Sequence, residues 1–140
     1  MKRIAAVDPG EKRVGLAVSD ELKLIARTLP CLDASGPEET AKNIARSFGD
    51  FEIEEVLIGR PKHQNGAAGN SATRSEALAE ELRKLGFKVR LVDERLSTVE
   101  AARRLHEAGL DTRKQRPKID SAAAAVILQS YIDLNPRWIR

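Results

Sequence analysis

The segment "IAAVDPGEKRVGLAVSD", residues 4–20, decides the fold, because a tight turn joins two short apolar runs there. Residues 3–8 and 13–19 are predicted to be the paired strands of a hairpin, since the Pro-Gly pair between them favours a turn. The first strand ends on Asp8, although the residues before it are suited to a buried strand. Asp8 is therefore either an ordinary turn residue or the first candidate residue of a functional site.

The rest of the chain alternates between strand-like and helix-like segments. The predicted elements after the hairpin are a strand over about 24–32, a helix over 37–48, a strand over 54–60, a glycine-rich loop over 61–70, a helix over about 71–85, a strand over 87–94, a helix within 97–109 and a helix over about 119–134. This order predicts an α/β fold with a mixed five-stranded sheet, in which three antiparallel strands are followed by parallel strands, flanked by helices. No linker-like segment interrupts the pattern, so residues 1–140 are expected to form one domain.

The composition is that of a slightly basic globular protein. The 140 residues carry a net charge of +3, and 32% of them are charged. The protein is therefore not a histone-like polycation, but its charge is compatible with a nucleic-acid partner. One cysteine and two distant histidines, His63 and His106, argue against a disulfide framework and against a zinc site. No signal peptide or run of membrane-spanning length is recognised, so we expect a cytoplasmic protein with no membrane partner.

Acidic residues stand at three places where an α/β sheet binds ligands. Asp8 closes the first strand, Asp93 and Glu94 close the fifth, and Asp120 opens the last helix. The segment behind Asp120 is apolar on every side, and Asp120 shares a helix face with Ala124 and Ile127, where an unsatisfied acid is costly. Each acid taken alone also has an ordinary structural explanation. Asp8 fits a turn, the acids after the fifth strand fit a solvated strand end, and Asp120 fits a first-turn acid that complements the helix dipole.

Taken together, the three acids indicate a metal site. Carboxylates that converge at one end of a sheet repel one another and raise their own pKa values, unless a cation lies between them. Mg²⁺ and Mn²⁺ are hard ions that bind carboxylate oxygens, water and substrate phosphates. One or two such ions, with two lying about 4 Å apart, activate water and stabilise the leaving oxygen of a phosphodiester.

Basic residues flank each of the candidate acids. They are Lys12 and Arg13 after the first strand, Arg95 after the fifth, and Arg113, Lys114, Arg116 and Lys118 before the last helix. Any one of these runs fits a solvated surface, but the repeated pairing of acid and base favours phosphate binding. The glycine-rich loop is a weaker signal, because Gly66 and Gly69 fit a mobile surface loop as well as a phosphate-binding loop before a helix.

Four segments, in order, resemble the signature segments of the YqgF/RuvX family of Holliday junction resolvases and pre-16S ribosomal RNA nucleases. They are "DPGEKRVGLAVSD", "IGRPKHQNGAAGNSA", "DERLST" and "KIDSAAAAVILQSYI". The resemblance extends from Ile4 to about Ile132 and implies an RNase H-like fold. It also implies that Asp8, Glu94 and Asp120 are the metal-binding catalytic acids, with Asp8 as the central ligand.

The resemblance further implies residues on the substrate side of the site. These are Arg95 and the loop over Gly59–Gly69, which carries Arg60 and Lys62. One position departs from the related RuvC-type resolvases, which carry a second acid one turn after the helix aspartate. This chain has Ala123 there.

The function expected from residues and resemblance together is that of a divalent-metal-dependent endonuclease. Its expected substrate is precursor ribosomal RNA, trimmed on the 5′ side of the small-subunit RNA, with the 30S precursor as a partner. Resolution of branched DNA is the alternative within the same chemistry, and a homodimer favours that role while a monomer favours RNA processing. A non-catalytic nucleic-acid-binding module stays open as a different class. An actin-like ATPase needs two lobes, for which 140 residues are too few.

Overall fold

The computed structural model describes residues 2–60, 66–93, 99–107, 109 and 116–134, with the side chains of 66–72, 104 and 116–120 outside the described part. Its elements, in chain order, are β1 (Arg3–Pro9), β2 (Arg13–Ser19), β3 (Ala26–Asp33), α1 (Pro37–Phe48), β4 (Ile53–Arg60), α2 (Gly66–Lys84), β5 (Val89–Asp93), α3 (Val99–Glu107) and α4 (Arg116–Leu134). The predicted order of strands and helices is therefore confirmed.

The five strands form one sheet in the order β3-β2-β1-β4-β5. The pairs β1–β2 and β2–β3 are antiparallel, whereas β1–β4 and β4–β5 are parallel. The predicted mixed sheet is confirmed. Because β1, β4 and β5 run in the same direction, they finish together at what we call the carboxyl end of the sheet, marked by Asp8, Gly59 and Val92.

Alternate residues of β1 pack into two separate apolar clusters, one on each face of the sheet. Ile4 and Ala6 face α3 and α4, while Ala5 and Val7 face α1 and α2. All four side chains are fully buried. The two-residue period of a strand continues this pattern to Asp8, which therefore belongs to the α4 face of the sheet.

Two helices begin earlier than the sequence predicts. The structure starts α2 at Gly66 rather than near residue 71, so the assignment of residues 66–70 to a loop is wrong. Ala67 and Ala68 are strong helix formers, and a glycine inside a helix costs only about 1 kcal/mol relative to alanine. Residues 61–65 lie outside the described part.

The helix α4 begins at Arg116 rather than near residue 119, and Pro117 is its second residue. A proline is tolerated there because the first-turn amides have no intrahelical partner. Asp120 is therefore one turn inside α4, and the first turn holds no acid, so the interpretation of Asp120 as a first-turn partner of the helix dipole is wrong. Within the described ranges, neither α4 nor any other helix combines the length and apolarity needed to cross a membrane.

Candidate active site

Asp8 is half-buried at the carboxyl end of β1, between two glycines. On one side Gly15 of β2 pairs directly with Asp8. On the other side Val7 pairs with Ile58 of β4, so that Gly59 follows beside Asp8. Neither neighbour carries a side chain, and a glycine within a strand marks a place where another group can approach the backbone closely. The register therefore puts no neighbouring strand side chain directly beside Asp8 in its row of the sheet.

A buried serine holds the beginning of α4 against this part of the sheet. Ser121 is fully buried. Its Oγ accepts a hydrogen bond from the Leu16 amide at 3.1 Å and donates one to the Leu29 carbonyl at 2.6 Å. Leu16 pairs with Val7, which is the residue before Asp8. These bonds therefore bring the α4 segment that carries Asp120 close to the end of β1 where Asp8 lies.

A second buried serine holds α2 against the same end of the sheet. The Ser75 hydroxyl donates a hydrogen bond of 2.8 Å to the carbonyl of Gly59, and Ser75 is 1% exposed. Helices on both faces are thus attached to the backbone beside Asp8. The sequence pattern alone does not reveal either serine, because both partners are distant in the chain.

The structure places the predicted acids as follows. Asp8 lies at the carboxyl end on the α4 face, and Asp120 lies on α4 with its side chain outside the described part. Asp93 follows Val92, which packs on the α4 face, so alternation directs Asp93 to the opposite face. Glu94 lies outside the described residues. Among the residues that the structure describes, no three His, Cys, Asp or Glu side chains form a metal-binding group, and the ligand set stays a prediction.

Three of the predicted phosphate-binding cations lie in the described part. Lys12 and Arg13 are exposed in the turn that follows β1. Arg60, the last residue of β4, is half-exposed and pairs with Glu76 at 3.4 Å, a surface ion pair that is weak and easily exchanged. The others are Lys62, Arg95, Arg113 and Lys114, which lie outside the described residues, and Arg116 and Lys118, which begin α4 with side chains outside that part.

A small open cleft lies on the other face of the sheet, beside the turn after Asp8. Pro9 and Gly10 form one wall, Pro37 and Thr40 of α1 form another, and Arg74 of α2 reaches it as well. Arg74 is a basic residue that the sequence analysis did not select, because a single arginine on a helix is usually a surface residue. Its position adds a cation near the carboxyl end.

Glu55 is a buried acid that does not belong to this site. It is the only acid among the buried residues of the described part, at 3% exposure. Arg90 donates to its carboxylate at 3.2 Å and the Tyr131 hydroxyl does so at 3.4 Å. Glu55 pairs with Ile4, which is four residues, or about 13 Å, along β1 from Asp8. Its charge is satisfied by a structural ion pair at a distance from Asp8.

The turn after Asp8 requires a glycine. The Gly10 amide donates to the Arg13 carbonyl at 2.9 Å, and a Cβ at residue 10 would lie 2.5 Å from that same oxygen. We expect Gly10→Ser to lower the free energy of unfolding in urea by about 1–3 kcal/mol, because the backbone of the turn must shift. The matched control is Gly36→Ser, where an added Cβ meets nothing within 4 Å. Equal stability of the two variants would show that the turn accepts a side chain.

Comparison with known proteins agrees with this geometry. A family model described as "RuvX: Holliday junction resolvase" matches residues 2–134. Proteins named "Putative pre-16S rRNA nuclease" from Halothermothrix orenii and an Anaeromyxobacter species are 38% and 40% identical, over 94% of this chain and 94% and 96% of theirs. The structure of T. thermophilus RuvC in complex with a Holliday junction substrate superposes with a TM-score of 0.67 at 17% identity, covering 96% of this chain and 97% of that one. The shared fold confirms the expected RNase H-like architecture.

Proposed function

This chain belongs to the RuvX family, and on that premise we propose that it is a divalent-metal-dependent endonuclease that processes the 5′ end of precursor 16S ribosomal RNA. The names of its relatives support the substrate. The observation that carries the proposal is the half-buried Asp8 at the carboxyl end of β1, which lies between Gly15 and Gly59 beside the attached start of α4. The whole described architecture, from β1 to α4, is assigned to one nuclease domain.

The available donors fit Mg²⁺ or Mn²⁺, in one or two sites. The proposed ligands are Asp8, Glu94, which follows β5 in the chain, and Asp120, which precedes the sheet-bound Ser121. Their oxygens are the ligands that hard divalent cations prefer. A cation bound there lowers the pKa of its bound water and offsets the charge of the reacting phosphate. Ala123 is exposed and supplies no further ligand.

The residues of this chain contribute position and charge. The sheet fixes Asp8 by its ladder to β2, and the glycines on both sides give a phosphate room to approach. Lys12, in the turn that follows, and Arg13, the first residue of β2, are exposed, and we propose that they bind phosphates of the substrate. Arg60 joins them when a phosphate displaces its surface partner Glu76.

A second candidate function is the resolution of four-way DNA junctions. The family description and the fold shared with the junction-bound RuvC favour it. Both functions use the same hydrolytic chemistry, so the acids do not distinguish them. Symmetric cleavage of two strands requires two active sites, hence a homodimer, whereas trimming of a single RNA strand within a 30S precursor requires one.

The deciding experiment offers both substrates to the purified protein with Mn²⁺ or Mg²⁺. We expect cleavage of a precursor 16S RNA fragment and no symmetric cleavage of a four-way DNA junction. Symmetric junction cleavage without RNA cleavage would replace the proposed substrate with branched DNA. Salt-dependent binding of both nucleic acids with cleavage of neither would identify a non-catalytic module.

The basic start of α4 predicts a specific salt dependence. Replacement of both Arg116 and Lys118 by alanine removes two phosphate contacts, which should reduce the slope of log K against log salt by about 1.4 for single-stranded RNA. The matched control removes Arg83 and Lys84, which pair with acids of their own helix at the far end of α2. Binding titrations at several salt concentrations measure both slopes. Equal slopes for the two double variants would place the RNA elsewhere.

A further inference from the structure

The ladder between β2 and β3 contains an irregularity opposite the start of α4. Val14 pairs with Leu32, but Leu16 pairs with Leu29. Two steps along β2 thus correspond to three along β3, and the extra residue lies at Pro30–Cys31. A proline has no amide hydrogen to donate to a ladder. The regular ladder is interrupted at this position, where a hydrogen-bonding group from outside the two strands can join them.

The hydroxyl of Ser121 is that group. It accepts from the Leu16 amide and donates to the Leu29 carbonyl, so it connects two strands at residues that are paired in register. A serine hydroxyl is suited to this place because it donates and accepts at once. Without it, the buried Leu16 amide and the half-buried Leu29 carbonyl would both lose this partner, and an unsatisfied buried donor is costly in a protein interior.

Two of the proposed metal ligands, Asp120 and Asp8, each lie next in the chain to a residue of this bridge or to its strand partner. Asp120 precedes Ser121 in α4, and Asp8 follows Val7, which pairs with Leu16. The Ser121 hydroxyl therefore attaches the start of α4 to the sheet beside the proposed metal site. A misplacement of reacting groups by about 1 Å can cost on the order of 10²-fold in rate, so this position matters for the reaction.

A second anchor of α4 provides an internal comparison. Gln129 is fully buried. Its amide oxygen accepts from the Ala26 amide at 2.8 Å, and its nitrogen donates to the Leu24 carbonyl at 3.0 Å. Gln129 therefore attaches α4 to the beginning of β3 by the same kind of bond, about two turns away from Ser121 and from the carboxyl end.

We propose that Ser121 is the positioning residue of the active site: its bridge between β2 and β3 fixes the start of α4 so that Asp120 and Asp8 can bind the same cation. The proposal rests on the proposed metal-dependent nuclease function. It assigns to Ser121 no contact with substrate or with the cation. Loss of the hydroxyl should thus weaken cation binding as well as slow turnover. A substitution that only weakens the attachment of α4 elsewhere should lower stability without changing cation affinity.

The test compares Ser121→Ala with Gln129→Leu in the full-length protein. Mn²⁺ binding is measured by calorimetric titration, kcat is measured at saturating Mn²⁺, and exchange of the Leu16 amide hydrogen is followed by NMR. For Ser121→Ala we expect at least a tenfold weaker Mn²⁺ affinity, a loss of kcat of up to about 10²-fold and faster exchange at Leu16. For Gln129→Leu we expect a lower stability but a Mn²⁺ affinity within about threefold of the wild type, because its bonds lie two turns from the site.

Ser121→Cys keeps the test informative if the alanine variant does not fold. A thiol occupies the site without leaving a cavity, although it is somewhat larger than a hydroxyl, and it is a weak donor and acceptor, so the same weakening of Mn²⁺ binding is expected. Equal Mn²⁺ affinities of the Ser121 and Gln129 variants would overturn the positioning role while leaving the nuclease proposal intact. A wild type that neither binds Mn²⁺ nor cleaves would overturn the proposed function, and this inference with it.

Discussion

Asp8→Asn should reduce the rate of cleavage at least about 10³-fold, which corresponds to about 4 kcal/mol of transition-state stabilisation, while the protein stays folded. The amide is nearly the same size as the carboxylate but lacks the charge that a hard cation prefers. Asp8 is half-buried at a strand end, and the apolar residues that hold β1 in the core precede it. The substitution therefore removes the proposed central ligand without touching the packing of the sheet.

The matched control is Asp33→Asn. Asp33 is an exposed acid at the end of β3, and it pairs with Arg13 at the same end of the sheet. The same chemical change there should leave cleavage within about twofold of the wild type, because Asp33 is exposed and is neither a proposed metal ligand nor a proposed phosphate-binding residue, and a single surface charge contributes little. Initial rates on the precursor RNA and thermal melts by circular dichroism check both variants. Wild-type cleavage by the Asp8 variant would remove Asp8 from the mechanism.

Removal of divalent cations should abolish cleavage and leave the fold in place. The two apolar clusters of the described residues hold the helices on both faces of the sheet by side-chain packing. A cation at a concentration equal to its Kd stabilises a folded protein by only about 0.4 kcal/mol, which corresponds to about 1–3 °C in Tm. Excess EDTA should therefore reduce cleavage to background and lower Tm by no more than a few degrees.

Two additions complete the metal-removal experiment. EDTA already saturated with Mg²⁺ serves as the control and should not inhibit, and Mn²⁺ or Mg²⁺ added after EDTA should restore the rate. Undiminished cleavage in excess EDTA would contradict a metal-dependent reaction. A collapse of Tm on cation removal would instead indicate a structural metal, which the two apolar clusters do not predict.

Local patterns were sufficient to predict the elements that position Asp8. The second strand is observed over the predicted residues 13–19, and the first helix over 37–48. In the hairpin, alternation and a Pro-Gly turn specify the same structure. In the helix, Pro37 begins the first turn, and Gly49 ends the last one with a positive φ of 52° and an amide bonded to Ala45. Where several local signals agree, the fold follows from the sequence.

The features that required the structure depend on contacts distant in the chain. Ser121 bonds to Leu29 across 92 residues, and its role arises from an irregular strand register that no local pattern reveals. The same holds for Gly59 beside Asp8, which follows from the pairing of β1 with β4. Arg74 reaches the carboxyl end only because α2 packs there. The sequence thus predicted the elements around the proposed site, but not how its helices are held.

The measurement that tests the central claim most directly is the location of bound Mn²⁺ by NMR. A paramagnetic ion broadens the amide signals of nearby residues. The account predicts broadening at Gly15 and Gly59, which flank Asp8, and loss of that broadening in Asp8→Asn. The amides of Arg3 and Phe51 serve as references, because both lie far from the proposed site. Arg3 is about 16 Å along β1 from Asp8, and the Phe51 ring stacks against the Arg3 side chain. Broadening centred on Arg3 and Phe51, or broadening unchanged in Asp8→Asn, would contradict a metal site built around Asp8.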